Sequence, residues 1–394
     1  MTDHIVVLGA GYAGLGAAKR AAKKLGLSAA GRPGAQGAGV QRAGVQRAGV
    51  QRAGARVTLV NAADRFVERV RLHQVAAGDR LSGPPLAELL AGTGIELVVA
   101  KVVEVDAAGR TVRLDAAPYT LDYDVLVYAL GSCSELDAVP GVREHAYPLA
   151  TAEEAVLLRE RVARAGAGPV TVVGGGLTGI EVAAELATVR PELRVELLVG
   201  GRVGPGLSPR ARRYLHRTFA RMGVSVREHA QVAKVGPDSV LLAGGEESPA
   251  GTVVWTAGFR VPGLAAAAGL ATDGHGRMLV DRSLRSVSHP EVFGVGDAAV
   301  VDRRDRSNRM CCQTALPLGL YAGEAVADLV TGREPRRARF GYVWHNISLG
   351  RRDGLVQFTR ADDSSIDAIM TGRPSAALKE SIIRGTVSVM RHAG

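Results

Sequence analysis

Two glycine clusters constrain this chain more than any other feature. Gly9-Ala10-Gly11-Tyr12-Ala13-Gly14 and Gly174-Gly175-Gly176-Leu177-Thr178-Gly179 both read G-x-G-x-x-G, and each lies between an apolar run and a helical stripe. His4 to Leu8 precedes the first cluster and reads as a buried parallel strand. Leu15, Ala18, Ala22 and Leu25 then share one helical face. Pro169 to Val173 precedes the second cluster, and Ile180, Ala183, Ala184 and Ala187 follow it. In such a turn the first glycine permits the bend, the second lets a pyrophosphate approach the backbone, and the third lets helix pack on strand. The helix start adds N–H donors and the positive end of a dipole. A lone motif of this kind is common. Its flanking elements give it meaning, and two copies in one chain argue for two dinucleotides rather than one.

Each unit continues in the same way. Arg56 to Val60 and Val195 to Val199 read as the next strands, and Asp124 to Ala129 and Val253 to Ala257 as apolar strands ending near a glycine. Val292 to Gly296 is a third strand of that kind, and Asp297 ends it with a carboxylate able to accept hydrogen bonds. An acidic residue usually closes the second strand of such a unit and binds the adenosine ribose. Asn61 holds that position in the first unit, and a ribose contact is expected of it without charge assistance. In the second unit the position falls at Gly200, with Arg202 just behind. A missing carboxylate removes repulsion against a 2′-phosphate, which Arg202 could pair with; the alternative is an arginine facing solvent.

Between the first helix and its next strand, residues 38–54 read AGVQR-AGVQR-AGVQR-AG. The period suits neither helix nor strand, so Gly26 to Ala55 is expected to be an inserted mobile loop on the side away from the dinucleotide. The chain carries a formal charge of +10, yet shows no zinc-ligand spacing, aromatic RNA-binding signature or basic zipper, so no nucleic-acid partner is expected. Three cysteines exclude a disulfide scaffold and fit a reducing compartment. No apolar run reaches transmembrane length, and the sequence opens directly into a strand, so the cytoplasm is the expected location.

Taken in order, the segments GAGYAGL (9–15), YALGS (128–132), VPG (139–141), GGGLTGIEVAAEL (174–186), WTAGF (255–259) and VFGVGDAA (292–299) resemble the two-dinucleotide flavoprotein superfamily. Within it they are most similar to the type II NADH dehydrogenase-like oxidoreductases. The resemblance implies an α/β fold with two Rossmann-like dinucleotide-binding domains. An FAD domain of residues 1–150 and 279–334 would be split around an NAD(P)H domain of residues 151–278, with 335–394 a shorter, less regular tail. It implies FAD as cofactor, NADH or NADPH as donor, and a quinone or other small molecule as acceptor. FAD contacts are then expected from Gly9, Gly11, Tyr12, Ala13, Gly14, Asn61, Gly131, Gly296, Asp297, Thr314 and Ala315, with backbone at Val102 or Val103 near the adenine. Gly174, Gly176, Leu177, Thr178, Gly179 and Gly258 would line the nicotinamide dinucleotide. Glu181 matches a glutamate near the nicotinamide and flavin. Gln313 lies in a segment, Cys311 to Pro317, that opens a helix aimed at the flavin, with Pro317 expected in its first turn.

Some segments keep two readings. Arg69, Arg71 and His73 are either acceptor or FAD-phosphate contacts, or parts of a surface amphipathic helix. The tail from Ala376 to Met390 is a packing or dimer helix, or else a peripheral contact at the inner face of a membrane. Two rival functions also stand: sulfide oxidation through Cys133 and Cys312, and non-enzymatic NADH sensing of the apoptosis-inducing-factor-like type.

Overall fold

The computed structural model describes residues 2–28, 54–80, 83–301 and 308–392. The pentapeptide repeat through residue 53 therefore lies outside the described residues, and so does nearly all of the expected insertion.

Two five-stranded parallel sheets organise the chain. The first runs Val292–Gly294, Val125–Tyr128, His4–Leu8, Arg56–Asn61, Glu96–Val99. The second runs Ser225–Arg227, Arg194–Leu198, Pro169–Val173, Thr252–Trp255, Ala146–Pro148. In both, the strand that enters a glycine turn is central. All five residues of His4–Leu8 are buried, as are the last four of Pro169–Val173. Such continuous apolar runs suit strands covered on both faces. Each half also inserts a three-stranded antiparallel meander before its next central neighbour: Val102–Asp106, Thr111–Leu114 and Thr120–Asp122 in the first, Val232–Val235, Ser239–Leu242 and Glu247–Pro249 in the second. Strand Ala146–Pro148 joins the second sheet although it precedes residue 150.

Helix Tyr12–Lys24 packs along helix Cys312–Val330 at close range. A Cβ added to Gly319 would collide with the carbonyl oxygen of Ala13, and one on Gly323 with that of Ala17. Small residues are what permit this approach, in a chain with few aromatics to fill a wider gap.

Two expectations need correction. The segment after Arg69 is not a surface helix: Leu72–Ala77 buries Leu72, His73, Val75, Ala76 and Ala77 between helices Ala152–Arg164 and Leu177–Val189. The tail is also more regular than expected, for strands precede the helix read over Ala376 to Met390. Trp344–Ser348, Gly354–Thr359 and Ser365–Thr371 form an antiparallel sheet, and helix Arg373–His392 follows. Buried polar residues hide these strands from an apolar-pattern reading. Gln357 is fully buried, with its Nε2 donating to the carbonyl oxygens of Phe358 and Ile366 and its Oε1 accepting from Ser208 N–H at 3.1 Å.

Candidate functional site

The two glycine turns are near copies in geometry. Gly9 and Gly174 take φ of +94° and +123°, a region closed to most side chains. Gly11 and Gly176 cap the following helices with φ, ψ of −71°, −172° and −74°, 177°. Gly9 N–H donates to Val60 O at 2.8 Å, and Gly174 N–H to Leu198 O at 2.9 Å. A Cβ on Gly14 or Gly179 would collide with the carbonyl oxygen of Gly9 or Gly174 respectively, so helix and turn touch there. A Cβ on Gly11 or Gly176 would meet nothing within 4 Å. Both helix starts are therefore open on the side where a phosphate would sit. Tyr12 and Ala13, like Leu177 and Thr178, are the first helical residues. The Tyr12 ring stands edge-on to Phe66 at 5.1 Å, and Gly296 lies against Ala13.

The ends of the second strands differ. Asn61 Oδ1 accepts from Ala10 N–H at 2.9 Å, and its Nδ2 donates to Ala63 O at 2.8 Å. The carboxamide thus ties the strand end to the first turn. In the second unit the register corrects the count from sequence. Leu198 pairs with Val173 as Val60 pairs with Leu8, so Val199, not Gly200, stands where Asn61 does. Val199 is an apolar residue that prolongs its strand's run, so from sequence alone the strand end falls one residue later. It is buried, and its methyl fills the place a Cβ on Gly175 would take.

Gly131, Ser132, Arg69 and Asp297 come together from three segments. Ser132 Oγ donates to Asp297 Oδ2 at 2.7 Å. Arg69 Nη1 lies 3.5 Å from Ser132 Oγ and 3.8 Å from Asp297 Oδ2, and Gly131 is beside the same guanidinium. Val102 and Val103 open the first meander, just past Ala100, whose N–H donates to Asn61 O at 2.9 Å. Val102 is buried and Val103 exposed. Gly258 O accepts from Glu135 N–H at 3.2 Å, and Cys133–Ser134 pairs antiparallel with Phe259–Arg260. The ends of the two central β-layers are stitched together at this point.

Helix Cys312–Val330 begins near this cluster, with Cys311 as its cap. Pro317 is its sixth residue, beyond the first turn expected from sequence. Lacking an N–H, it leaves the Gln313 carbonyl without the usual helical partner. Gln313 Oε1 accepts from Arg309 Nη2 at 3.1 Å; Arg309 stacks on Tyr342 at 4.0 Å and pairs with Asp363 at 2.9 Å. Thr314 and Ala315 are buried, with Thr314 Oγ1 3.2 Å from the Tyr342 hydroxyl.

Glu181 makes contacts that its sequence position did not announce. Its Oε1 accepts from Lys379 Nζ on the tail helix and from Ser348 N–H at 2.9 Å; its Oε2 is 3.9 Å from His73 Nδ1. Burial alone would raise its pKa, but the Lys379 charge, then His73, hold it below the usual range. Burial pushes His73 down to about 4, with the Lys379 and Arg351 charges adding to this, and its Nε2 has no hydrogen-bond partner among the described residues. One helical turn on, buried Glu185 pairs with Arg351, which also reaches Asp79 at 2.8 Å. The sequence assigns no role to Lys379 within the tail segment Ala376 to Met390, nor to Glu185 or Arg351. Only the i, i+4 spacing of the two carboxylates hinted that they share a face. All three cysteines are free thiols, and burial, then Cys311, pushes Cys312 up to about 11.

Two matching cradles on two parallel sheets define a protein with the two-dinucleotide-binding-domain fold. The chain matches the family described as pyridine nucleotide-disulphide oxidoreductase over residues 34–319, and it belongs to that family. An NADH dehydrogenase-like protein of Mycobacterium tuberculosis (strain ATCC 25618 / H37Rv) is 32% identical over 397 residues, covering 96% of this chain and 92% of that protein. A type II NADH:quinone oxidoreductase of Staphylococcus epidermidis (strain ATCC 12228 / FDA PCI 1200) is 26% identical over 335 residues, covering 76% and 82%. Among solved structures, the sulfide:quinone oxidoreductase of Aquifex aeolicus aligns with a TM-score of 0.80 at 18% identity, over 100% of this chain and 92% of that one.

Proposed function

We propose that this chain is an FAD-dependent oxidoreductase that takes a hydride from NAD(P)H and passes the electrons to a quinone or another small acceptor. The observation that carries this reading is the pair of glycine cradles, each with an open approach at Gly11 or Gly176 that a single Cβ would begin to fill. The first fits FAD. Residues 1–150 and 279–334 supply its cradle, the Asp297–Ser132–Arg69 cluster and the start of helix Cys312–Val330. The second, in residues 151–278, fits a nicotinamide dinucleotide. When bound, FAD supplies the two-electron carrier between donor and acceptor. The protein's own part is orientation and charge. The N–H groups beyond Gly11 and Gly176 hold pyrophosphates. Asp297, held by Ser132, accepts hydrogen bonds from a polyol chain. The positive end of helix Cys312–Val330 stabilises negative charge in front of it. Gln313 is steadied by Arg309 in that first turn, and Glu181 is kept ionised by Lys379 at the start of the second dinucleotide helix.

The named relatives, an NADH dehydrogenase-like protein and an NADH:quinone oxidoreductase, support the donor and the acceptor class. No helix among the described residues is long and apolar enough to cross a membrane. For the tail helix, buried Ile383 and Met390 favour the packing reading over a membrane contact. Sulfide chemistry gains no support. The likeness to the Aquifex enzyme is one of fold, and Cys312 is held as a neutral thiol rather than the reactive thiolate.

The test is an anaerobic titration of purified protein with NADH and with NADPH, followed by a panel of acceptors. The expected result is a yellow protein bleached by a nicotinamide coenzyme and recoloured by a quinone. Colourless protein that takes up no added FAD would overturn the reading; recolouring slower than minutes with every acceptor would turn it towards NADH sensing.

A further inference from the structure

A basic pocket lies beside the second glycine turn, lined by Arg202, Arg212, Arg213, His216, Glu228 and His229. Backbone ties fix its walls to the cradle. Gly204 N–H donates to Gly175 O at 2.8 Å, and His229 N–H donates to Gly201 O at 2.9 Å. Arg202 sits between these two anchors in the chain. The carboxylate of Glu228 is engaged by the protein: it accepts from Val203 N–H at 2.7 Å and lies 3.7 Å from His216 Nε2. Arg212 is partly spent on Leu207 O at 2.6 Å. Among the described residues, Arg202 and Arg213 line the pocket and make no ion pair within 4 Å, so the arginines there outnumber its single carboxylate.

The strand end next to this pocket is Val199. A carboxylate there would accept both ribose hydroxyls of an unphosphorylated adenosine and repel a phosphate on the 2′ oxygen. Val199 does neither. An NADH molecule would therefore lose its usual hydroxyl acceptor, whereas a 2′-phosphate would meet two guanidinium groups, whose planar forks match phosphate oxygens. We infer that the Arg202–Arg213 pocket receives the 2′-phosphate of adenosine, so that the chain takes NADPH in preference to NADH. This rests on the reading of the second cradle as the nicotinamide dinucleotide site.

The test is calorimetric binding of 2′,5′-ADP, 3′,5′-ADP and 5′-AMP to the purified flavin-loaded protein, the Arg202→Ala variant and the Arg213→Ala variant, alongside the NADPH/NADH ratio of kcat/KM. We expect 2′,5′-ADP to bind at least about tenfold more tightly than either competitor, and each substitution to lower that advantage and the kcat/KM ratio about tenfold. Equal binding of 2′,5′-ADP and 5′-AMP would overturn the inference. Equal binding of 2′,5′- and 3′,5′-ADP would do the same, because the pocket would then be a general anion patch. Selective 2′,5′-ADP binding without flavin bleaching would support the pocket while sinking the oxidoreductase reading. Equal bleaching by NADH and NADPH would leave that reading standing and sink the pocket.

Discussion

Single glycines separate folding from binding in the two turns. At Gly14 a Cβ would run into the Gly9 carbonyl, so Gly14→Ala must push the first helix off its strand. At Gly11 the φ is −71° and the space is open, so Gly11→Ala keeps the fold but puts a methyl where a pyrophosphate would rest. The expected outcome is a contrast. Gly14→Ala should lower stability by about 1–3 kcal/mol in urea unfolding, as overpacking does. Gly11→Ala should leave the unfolding midpoint in place and lower FAD affinity about tenfold or more. Matching losses of stability and flavin in both variants would contradict the division of labour between the two positions.

At the level of elements, two helices far apart in the chain depend on one another. Helix Tyr12–Lys24 carries the first cradle at its start and, at Lys19, a buried ammonium that donates to the Met390 and Arg391 carbonyls at 2.8 Å each. Lys19 is only 1% exposed, and burial lowers its pKa, so its desolvation is offset mainly by these two terminal carbonyls. Lys19→Met keeps the stem and removes the donor. The amide protons of the last two turns of Arg373–His392 are expected to exchange about tenfold faster, equivalent to ~1.4 kcal/mol of local opening, while global stability changes less. Unchanged protection in that stretch would mean the tail helix is held by Ile383 and Met390 alone.

For the whole molecule, the tail joins both dinucleotide units. Lys379 pairs with Glu181, Glu380 with Arg71, and Arg351 with Glu185 and Asp79. His73 lies inside this junction, and burial pushes it to about 4; burial, then the Arg309 charge, does the same to His345 in the tail sheet. Both histidines are neutral in the folded protein near pH 6 and largely protonated when unfolded. Their folded values are depressed, so their contribution is complete above about pH 6.5 and is lost as pH falls towards about 4. Each should steepen the decline by up to about 1.4 kcal/mol per pH unit within that window. In a series of urea unfolding curves, the paired His73→Gln and His345→Gln variant should show a shallower decline than the parent. Parallel declines would place the acid sensitivity in the carboxylates instead.

Much of this protein was determined by its linear order of residues. The glycine spacing after an apolar run dictates a strand, a tight turn and a helix start, because those constraints are local. Gly11, Gly14, Gly176 and Gly179 were therefore legible as cradle positions, and the repetition of the unit made two parallel sheets the natural solution. The convergence of Arg69, Ser132 and Asp297 was only partly legible, through order along the chain and resemblance. Tertiary structure alone decided the rest. Register, which depends on hydrogen bonds between distant strands, moved the strand-end position from Gly200 to Val199. Long-range packing turned Leu72–Ala77 into a buried wedge and gave the tail its order, because residues such as Gln357, Lys19 and Lys379 satisfy partners far away in sequence. A polar side chain reads as exposed until its partner is known, and only the folded chain supplies that partner.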